Sequence, residues 1–343
     1  AEGDLIRASQ HVALHDAVTR NSITSQEVIV VPVFAYQSLN SGVQSDHGVA
    51  ASNSQRFTKS THNNIAKSDK PWMLSMPVAQ GVAPDVPVHG PAQLLPTAKD
   101  IYKKQGRFTD KVFLNLVEGK ARQIHQHLIR SLGQCSVLVY GELDGNHREW
   151  QSMQQHAGNL LTATSTGKAC NSFSVHTNGS GSHRFIQAGM GWIAVESDGI
   201  RALFVHVPNS VATNKSLTKK FYSDIHTRVL QSEGGGVIDV IMGDTNQPNP
   251  GYTQNVASDA LGQSFAEFHQ GKEIQPEDAY QRSFGGTNSN ARKKYDVAVY
   301  NTATVRIENL IYLSQCVDVA EGSGSAAAAI TDHMGIGIKI ARV

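Results

Sequence analysis

Apolar positions recur at two spacings along this chain, and each spacing predicts its own elements. KVFLNL (111–116) and CSVLVYGEL (135–143) are near-continuous apolar runs of strand length. Between them, in GKARQIHQHLIRSLG, residues Ala121, Ile124, Leu128, Ile129 and Leu132 form one helical stripe, and Gly133 stops it. GWIAVES and RALFVHVPN are two further strands joined by Asp198-Gly199, a hairpin signal. Leu217, Phe221, Ile225 and Val229 recur every four residues and predict a helix, with Gly234, Gly235 and Gly236 beyond its end. VIDVIMGDTN, KKYDVAVYN and AAAAITDHMGIGIKI complete the strands. Strands and helices mix without strict alternation. That predicts two packed sheets flanked by helices, not a Rossmann-type parallel sheet.

The first 108 residues follow a different pattern. They hold Pro32, Pro71, Pro77, Pro84, Pro87, Pro91 and Pro96, seven of the eleven prolines, and residues 38–70 are rich in Ser, Asn, Gln and His. A short helix near 6–18 and a strand near 27–36 are expected, then mostly irregular chain to about 98. The division this implies is an accessory region over 1–108 and a catalytic domain over 109–343. The accessory region is expected to be dispensable for chemistry, serving delivery, inhibition or docking of a protein partner. No internal repeat is evident.

Composition narrows the function classes. In 343 residues the hydrophobic fraction is 40%, enough for a sizeable core, and the formal charge is +1. No global positive field draws the chain to a polyanion, so any such contact rests on a local patch. The longest apolar run, VIVVPVFAY (28–36), is far short of the roughly 20 residues that span a bilayer, so no transmembrane segment is expected. No signal peptide is visible, but with Ala1 as a processed end its absence proves little, so localisation is open, a secreted or delivered protein included. Cys135, Cys170 and Cys316 are widely spaced, which excludes a disulfide scaffold and argues against structural zinc.

Chemistry enters at the strand ends. Asn115, Glu142, His206, Asp244, Asn246, Asp296, Asp332 and His333 all sit within or just past an apolar run. Taken singly, each is an ordinary turn or core residue. Together they supply carboxylates, amides and imidazoles that strands could deliver to one sheet edge. Clustered carboxylates repel unless a cation neutralises them, and an oxygen-rich set suits Mg2+ or Mn2+. Such a cation beside histidines suits hydrolysis at phosphorus, with an oriented imidazole taking a proton from water and carboxamides stabilising oxyanions.

The order FLNL, YGEL, FVHVPN, MGDTN, KYDVAV, TDHMGI resembles the endonuclease/exonuclease/phosphatase superfamily, the DNase I-like fold, across about 111–343. That resemblance implies a four-layer α/β/β/α sandwich. It implies that Glu142 binds the metal, with Asn115 and Asp332 assisting, and that Asp244 orients or activates the nucleophile. Asn246 would contact the phosphate, His206 and Asp296 would occupy the isolated His and Tyr-Asp positions, and His333 would activate water, oriented by Asp332 or Asp244. Thr245 and Thr331 stand where the family commonly has Phe and Ser, and neither swap removes a reacting group. The Arg that often follows the Tyr-Asp pair is missing here.

Within the superfamily, HRFIQAGMGWIAVESDGIRALFVHVPNS resembles DNase I and the catalytic subunit of cytolethal distending toxins. Arg184 falls where those nucleases place a phosphate-contacting Arg. Asn209, after the His206 strand, and Lys293 and Lys294, in a Gly/Asn-rich loop before Asp296, are the other substrate-binding candidates. The expected activity is Mg2+- or Mn2+-dependent hydrolysis of the DNA backbone with little sequence selectivity, as in a toxin or effector nuclease. The alternatives are a phosphoinositide phosphatase or sphingomyelinase-type phosphodiesterase, and a non-catalytic binding protein on the same fold.

Overall fold

Side-chain alternation along the strands decides which sheet faces meet. The computed structural model describes residues 32–39, 78–79, 104–106, 135–143, 159–164, 172–247, 249, 251–267, 295–313, 316–321, 323–329, 331 and 333–343. All of these lie in the unit Pro32–Val343. In β1 (Val33–Ser38) and β3 (Val137–Leu143), Phe34, Tyr36, Val137 and Val139 point the same way. They meet Ile193 and Val195 of β7 (Trp192–Ser197), Ala202 and Phe204 of β8 (Ile200–His206), and Val240 and Met242 of β9 (Val240–Asp244). Phe34 and Phe204 touch edge-on across this interface, ring centroids 6.3 Å apart. The core is therefore the seam between two sheets packed face to face.

The larger sheet runs β12-β15-β1-β3-β5-β4-β2, with β2 Val78–Ala79, β4 Asn159–Thr164, β5 Ser172–Thr177, β12 Val305–Leu313 and β15 Gly335–Arg342. The smaller runs β10-β11-β9-β8-β7-β6, with β6 His183–Gly189, β10 Phe265–Glu267 and β11 Asp296–Asn301. A separate hairpin joins β13 (Cys316–Glu321) to β14 (Gly324–Ala329). Among the described strands each main sheet holds one parallel pair, β1 with β3 and β8 with β9, among antiparallel ones.

On the far face of the smaller sheet, Trp192, Leu203, Val205, Ile241 and Val299 pack against helices. The short α1 (Asn209–Ala212) is followed by α2 (Lys215–Leu230) and α3 (Tyr252–Leu261). The spacing-of-four ladder holds: Phe221, Ile225 and Val229 are buried on α2, and the Asn214 side chain caps its first turn by accepting from the Leu217 N–H at 3.1 Å. β7 and β8 form the expected hairpin, Ser197 pairing with Ile200 around Asp198-Gly199. Three layers of the α/β/β/α sandwich are thus visible: helices, small sheet, large sheet. The strand expected at 111–116 and the helices expected near 6–18 and 119–133 lie outside the described residues. No described helix is long and apolar enough to cross a membrane.

β1 comes from the stretch that composition set apart as an accessory region. It sits inside the larger sheet, with Val33 opposite Lys339 on one side and Phe34 opposite Val137 on the other. A boundary at residue 108 does not separate it from β3 and β15, its neighbours in the larger sheet.

Candidate active site

Strand direction gathers the polar residues. β1, β3, β8 and β9 deliver their C-terminal ends to one edge of the sandwich, bringing Ser38, Glu142, His206 and Asp244 there. His206 and Asp244 are direct cross-strand partners, and Asp244 in turn pairs with Asp296 at the start of β11. His333 lies two residues before β15. Parity explains where they point: His206, Asp244 and Asp296 share the inward face with Phe204, Met242 and Ala298.

Glu142 breaks this parity. Strict alternation would turn it outward beside Leu138 and Tyr140. Instead the β3–β5 register slips between Tyr140 and Leu143, and Glu142 has φ 54°. A bulge with a left-handed residue re-aims the carboxylate into the site. Gly243 solves a second local problem. With φ 133°, it carries no β-carbon where one would overlap the Val205 carbonyl oxygen, so β9 can lie close to β8 one step before the His206–Asp244 pair.

The resulting geometry is dense. His333 Nδ1 is 2.8 Å from Asp296 Oδ2, and its Nε2 is 3.8 Å from Asp244 Oδ2. His206 Nε2 is 3.8 Å from Asp244 Oδ2 and 4.0 Å from Glu142 Oε1. The Tyr295 ring stacks on His333, centroids 6.1 Å apart. Asp296 and Asp244 are buried, and the Glu142 side chain keeps 17% of its surface. Burial pushes the Asp244 carboxyl up to about 6; His333 opposes the rise, Asp296 adds to it, His206 opposes and Glu142 adds. One ligand atom each from Glu142, Asp244 and His333 lie within 4.8 Å of one another. Two carboxylates and an imidazole at that separation fit a divalent cation, whose charge would offset the carboxylate repulsion.

Five of the predicted residues, Glu142, His206, Asp244, Asp296 and His333, therefore converge. Among the described residues, the carboxylate hydrogen-bonded to His333 is that of Asp296, while Asp244, one of the two the resemblance implied, lies 3.8 Å from the other ring nitrogen. Asn246 is adjacent: left-handed at φ 50°, its N–H donates to Asp244 Oδ1 and its Nδ2 donates to the Val207 carbonyl, both 2.8 Å. The amide hydrogens thus pin the β9 turn to the segment after His206. Asn209 is exposed at the start of α1.

Arg184 is elsewhere. Its Nη2 is 3.1 Å from Glu196 Oε2, its Nη1 donates to the Glu233 carbonyl at 2.8 Å, and Arg201 Nε is 2.9 Å from the same Glu196 oxygen. Arg201 is five residues before His206 on β8, about 17 Å along the strand. The structure does not bring Arg184 to the cluster. Asn115, Asp332, Lys293 and Lys294 lie outside the described residues.

Sequence reading missed the end of β1. Ser38 Oγ donates to Glu142 Oε2 at 2.6 Å, and Gln37 Nε2 donates to the His333 carbonyl at 3.2 Å. The available signal was the same as elsewhere, an apolar run, VFAYQS, ending in polar side chains.

No family model matches the sequence, and no curated protein matches it. Solved structures that are similar include an endonuclease/exonuclease/phosphatase family protein from Bacteroides thetaiotaomicron, at 8% identity over 78% of this chain and 96% of that one, TM-score 0.46. A mannosyl-6-phosphatase of the same organism is similar at 8% identity over 72% of this chain and 97% of that one, TM-score 0.47. A 3′ phosphatase from Neisseria, bound to a product DNA hairpin, is similar at 15% identity over 63% and 92%, TM-score 0.36. The likeness is one of fold.

Proposed function

We propose that this chain is a divalent-cation-dependent phosphoester hydrolase and that the backbone of DNA is its substrate. The observation that carries the reading is the Asp296–His333 pair opening onto the Glu142 and Asp244 carboxylates, the two oxygen donors of the cluster. The Asp296 carboxylate accepts from His333 Nδ1 and so holds the ring in the tautomer whose Nε2 is free of its proton. That nitrogen is the base for an attacking water. Asp244, its carboxyl raised by burial, lies 3.8 Å from Nε2 of both His333 and His206, so its charge faces both imidazoles. Mg2+ or Mn2+, when bound by Glu142 and Asp244, supplies polarisation of a phosphoryl oxygen and stabilisation of the leaving oxygen. His206, 4.0 Å from Glu142 and 3.8 Å from Asp244, holds positive charge beside the carboxylates when protonated.

What favours DNA over a lipid phosphoester is the polarity of the flanking segments. Beside the site, Asn209, Thr213, Asn214 and Asn249 are exposed. The exposed large apolar residues among those described are Leu230 and Val343, neither on these segments, so nothing described there would enter a bilayer. The test is supercoiled plasmid with Mg2+ or Mn2+, with and without EDTA, run beside phosphate release from phosphoinositides. Nicking that EDTA stops is the expected result. Plasmid left intact across a wide range of enzyme and metal removes the DNA reading, and EDTA-resistant nicking removes the cation.

A further inference from the structure

Glu142 is held in an uncommon backbone conformation at a bulge, and a carboxylate so placed needs something to fix its direction. Ser38 Oγ donates to Glu142 Oε2 at 2.6 Å, the length of a strong charge-assisted hydrogen bond. Ser38 is fully buried on β1, directly across from Gly141, the residue before Glu142. Its backbone carbonyl accepts from Thr331 Oγ1 at 3.1 Å and from Gln37 Nε2 at 2.8 Å. The same Gln37 amide donates to the His333 carbonyl at 3.2 Å. One strand end therefore touches both sides of the cluster: the Glu142 carboxylate through a hydroxyl, and Thr331 and His333 through a carbonyl and an amide.

Tyr36 closes the arrangement from beneath. It is fully buried, with Ser38 beside it, and its hydroxyl occupies the space where a β-carbon at Gly141 would be. Burial, and then the carboxylates of Asp244, Asp296 and Glu142, hold the phenol well above its ordinary value, so it stays a neutral O–H.

We propose that Ser38 is a positioning residue that aims the Glu142 carboxylate at the cation and anchors the segment bearing His333. This rests on the cation reading given above. The hydroxyl holds one carboxylate oxygen, leaving Oε1, the oxygen nearer His206, to face the cluster. Residues that hold a metal ligand through a hydrogen bond set metal affinity without touching the metal.

The test is Mn2+ binding to the full-length chain, followed by titration calorimetry and by the electron paramagnetic resonance signal of free Mn2+. Ser38→Ala is expected to weaken binding by about 10-fold to 100-fold, with the circular dichroism spectrum unchanged. Ser38→Thr, which keeps the hydroxyl, is expected to restore most of the affinity, a rescue that a merely structural role would not produce. Should Ser38→Ala fail to fold, Ser38→Cys keeps the volume with a far weaker donor and is expected to show the same loss. Wild-type affinity in Ser38→Ala or Ser38→Cys overturns this inference and leaves the cation reading standing. A wild-type chain that binds no Mn2+ overturns both.

Discussion

The two ends of β8 hold charge in opposite ways. At the Arg201 end, two guanidinium groups share the Glu196 carboxylate, and both also donate to backbone carbonyls, Arg184 to Glu233 and Arg201 to Gly234. At the His206 end, three carboxylates meet two imidazoles in a largely buried edge, and burial has already pushed one carboxyl up to about 6. The first end sets opposite charges against each other and is partly exposed, so its ion pairs add little to stability. The second is mismatched unless a cation joins it. The difference teaches that a charged residue on a strand points to chemistry when its neighbours oppose its charge state, and to architecture when they satisfy it.

Substitutions sharpen this contrast. The largest effect is expected from His333→Ala and Asp296→Asn: each should lower kcat by about 100-fold to 10,000-fold with little change in thermal stability. Near wild-type turnover in His333→Ala would show that another group takes the proton.

Asp244→Asn should separate function from stability. Turnover is lost, yet the metal-free chain is expected to become more stable above pH 6. The sign follows from linkage. The carboxyl is raised from 3.8 to about 6 in the folded chain, so between roughly pH 4 and 6 the folded state holds a proton that the unfolded state has released. Its contribution is complete below about pH 4 and is lost as pH rises through 6, on the order of 3 kcal/mol. Thermal melts of metal-free protein at pH 4 to 8 should show this fall in the wild type and a flatter profile in Asp244→Asn. Parallel profiles in the two proteins would remove Asp244 as its source.

Added Mg2+ should act in the opposite sense, raising the melting temperature more at pH 8 than at pH 5, because binding needs ionised carboxylates. Equal shifts at both pH values would place the cation away from the cluster.

The smallest effect is expected at the other end of β8. Arg184→Ala should leave kcat and the KM for DNA unchanged and cost at most about 1 kcal/mol. A clear rise in KM, with a shallower dependence on salt, would extend the binding face to the Arg201 end and break the comparison.

Much of the fold was legible in the sequence because its signals are local. The Asp198-Gly199 hairpin and the Phe221–Ile225–Val229 ladder are each set by a few neighbouring residues. Glu142, His206, Asp244, Asp296 and His333 were legible for a related reason: each stands at the boundary of an apolar run, and strand direction does the rest. What was not legible is non-local. Nothing near Ser38 announces that β1 lies beside β3, about a hundred residues later, while Asn115 offered a similar strand end much closer to Glu142. The bulge that turns Glu142 inward is a matter of register between two strands, and alternation alone points that side chain the wrong way. Arg184 looked available for a phosphate because its partner Glu196 becomes a neighbour only once β6 and β7 pair.

The position of β1 also sets the order in which the molecule can be made. Its two neighbours in the sheet are β3 and β15, and Val33 pairs with Lys339. Contacts between residues so far apart in sequence close slowly, because the whole intervening chain must be arranged before they form. During synthesis on a ribosome, β1 waits with one edge open until residues 335–342 emerge. His333, just ahead of β15, arrives at nearly the same moment. The edge that carries the carboxylates and imidazoles therefore closes only once β15 has paired with β1.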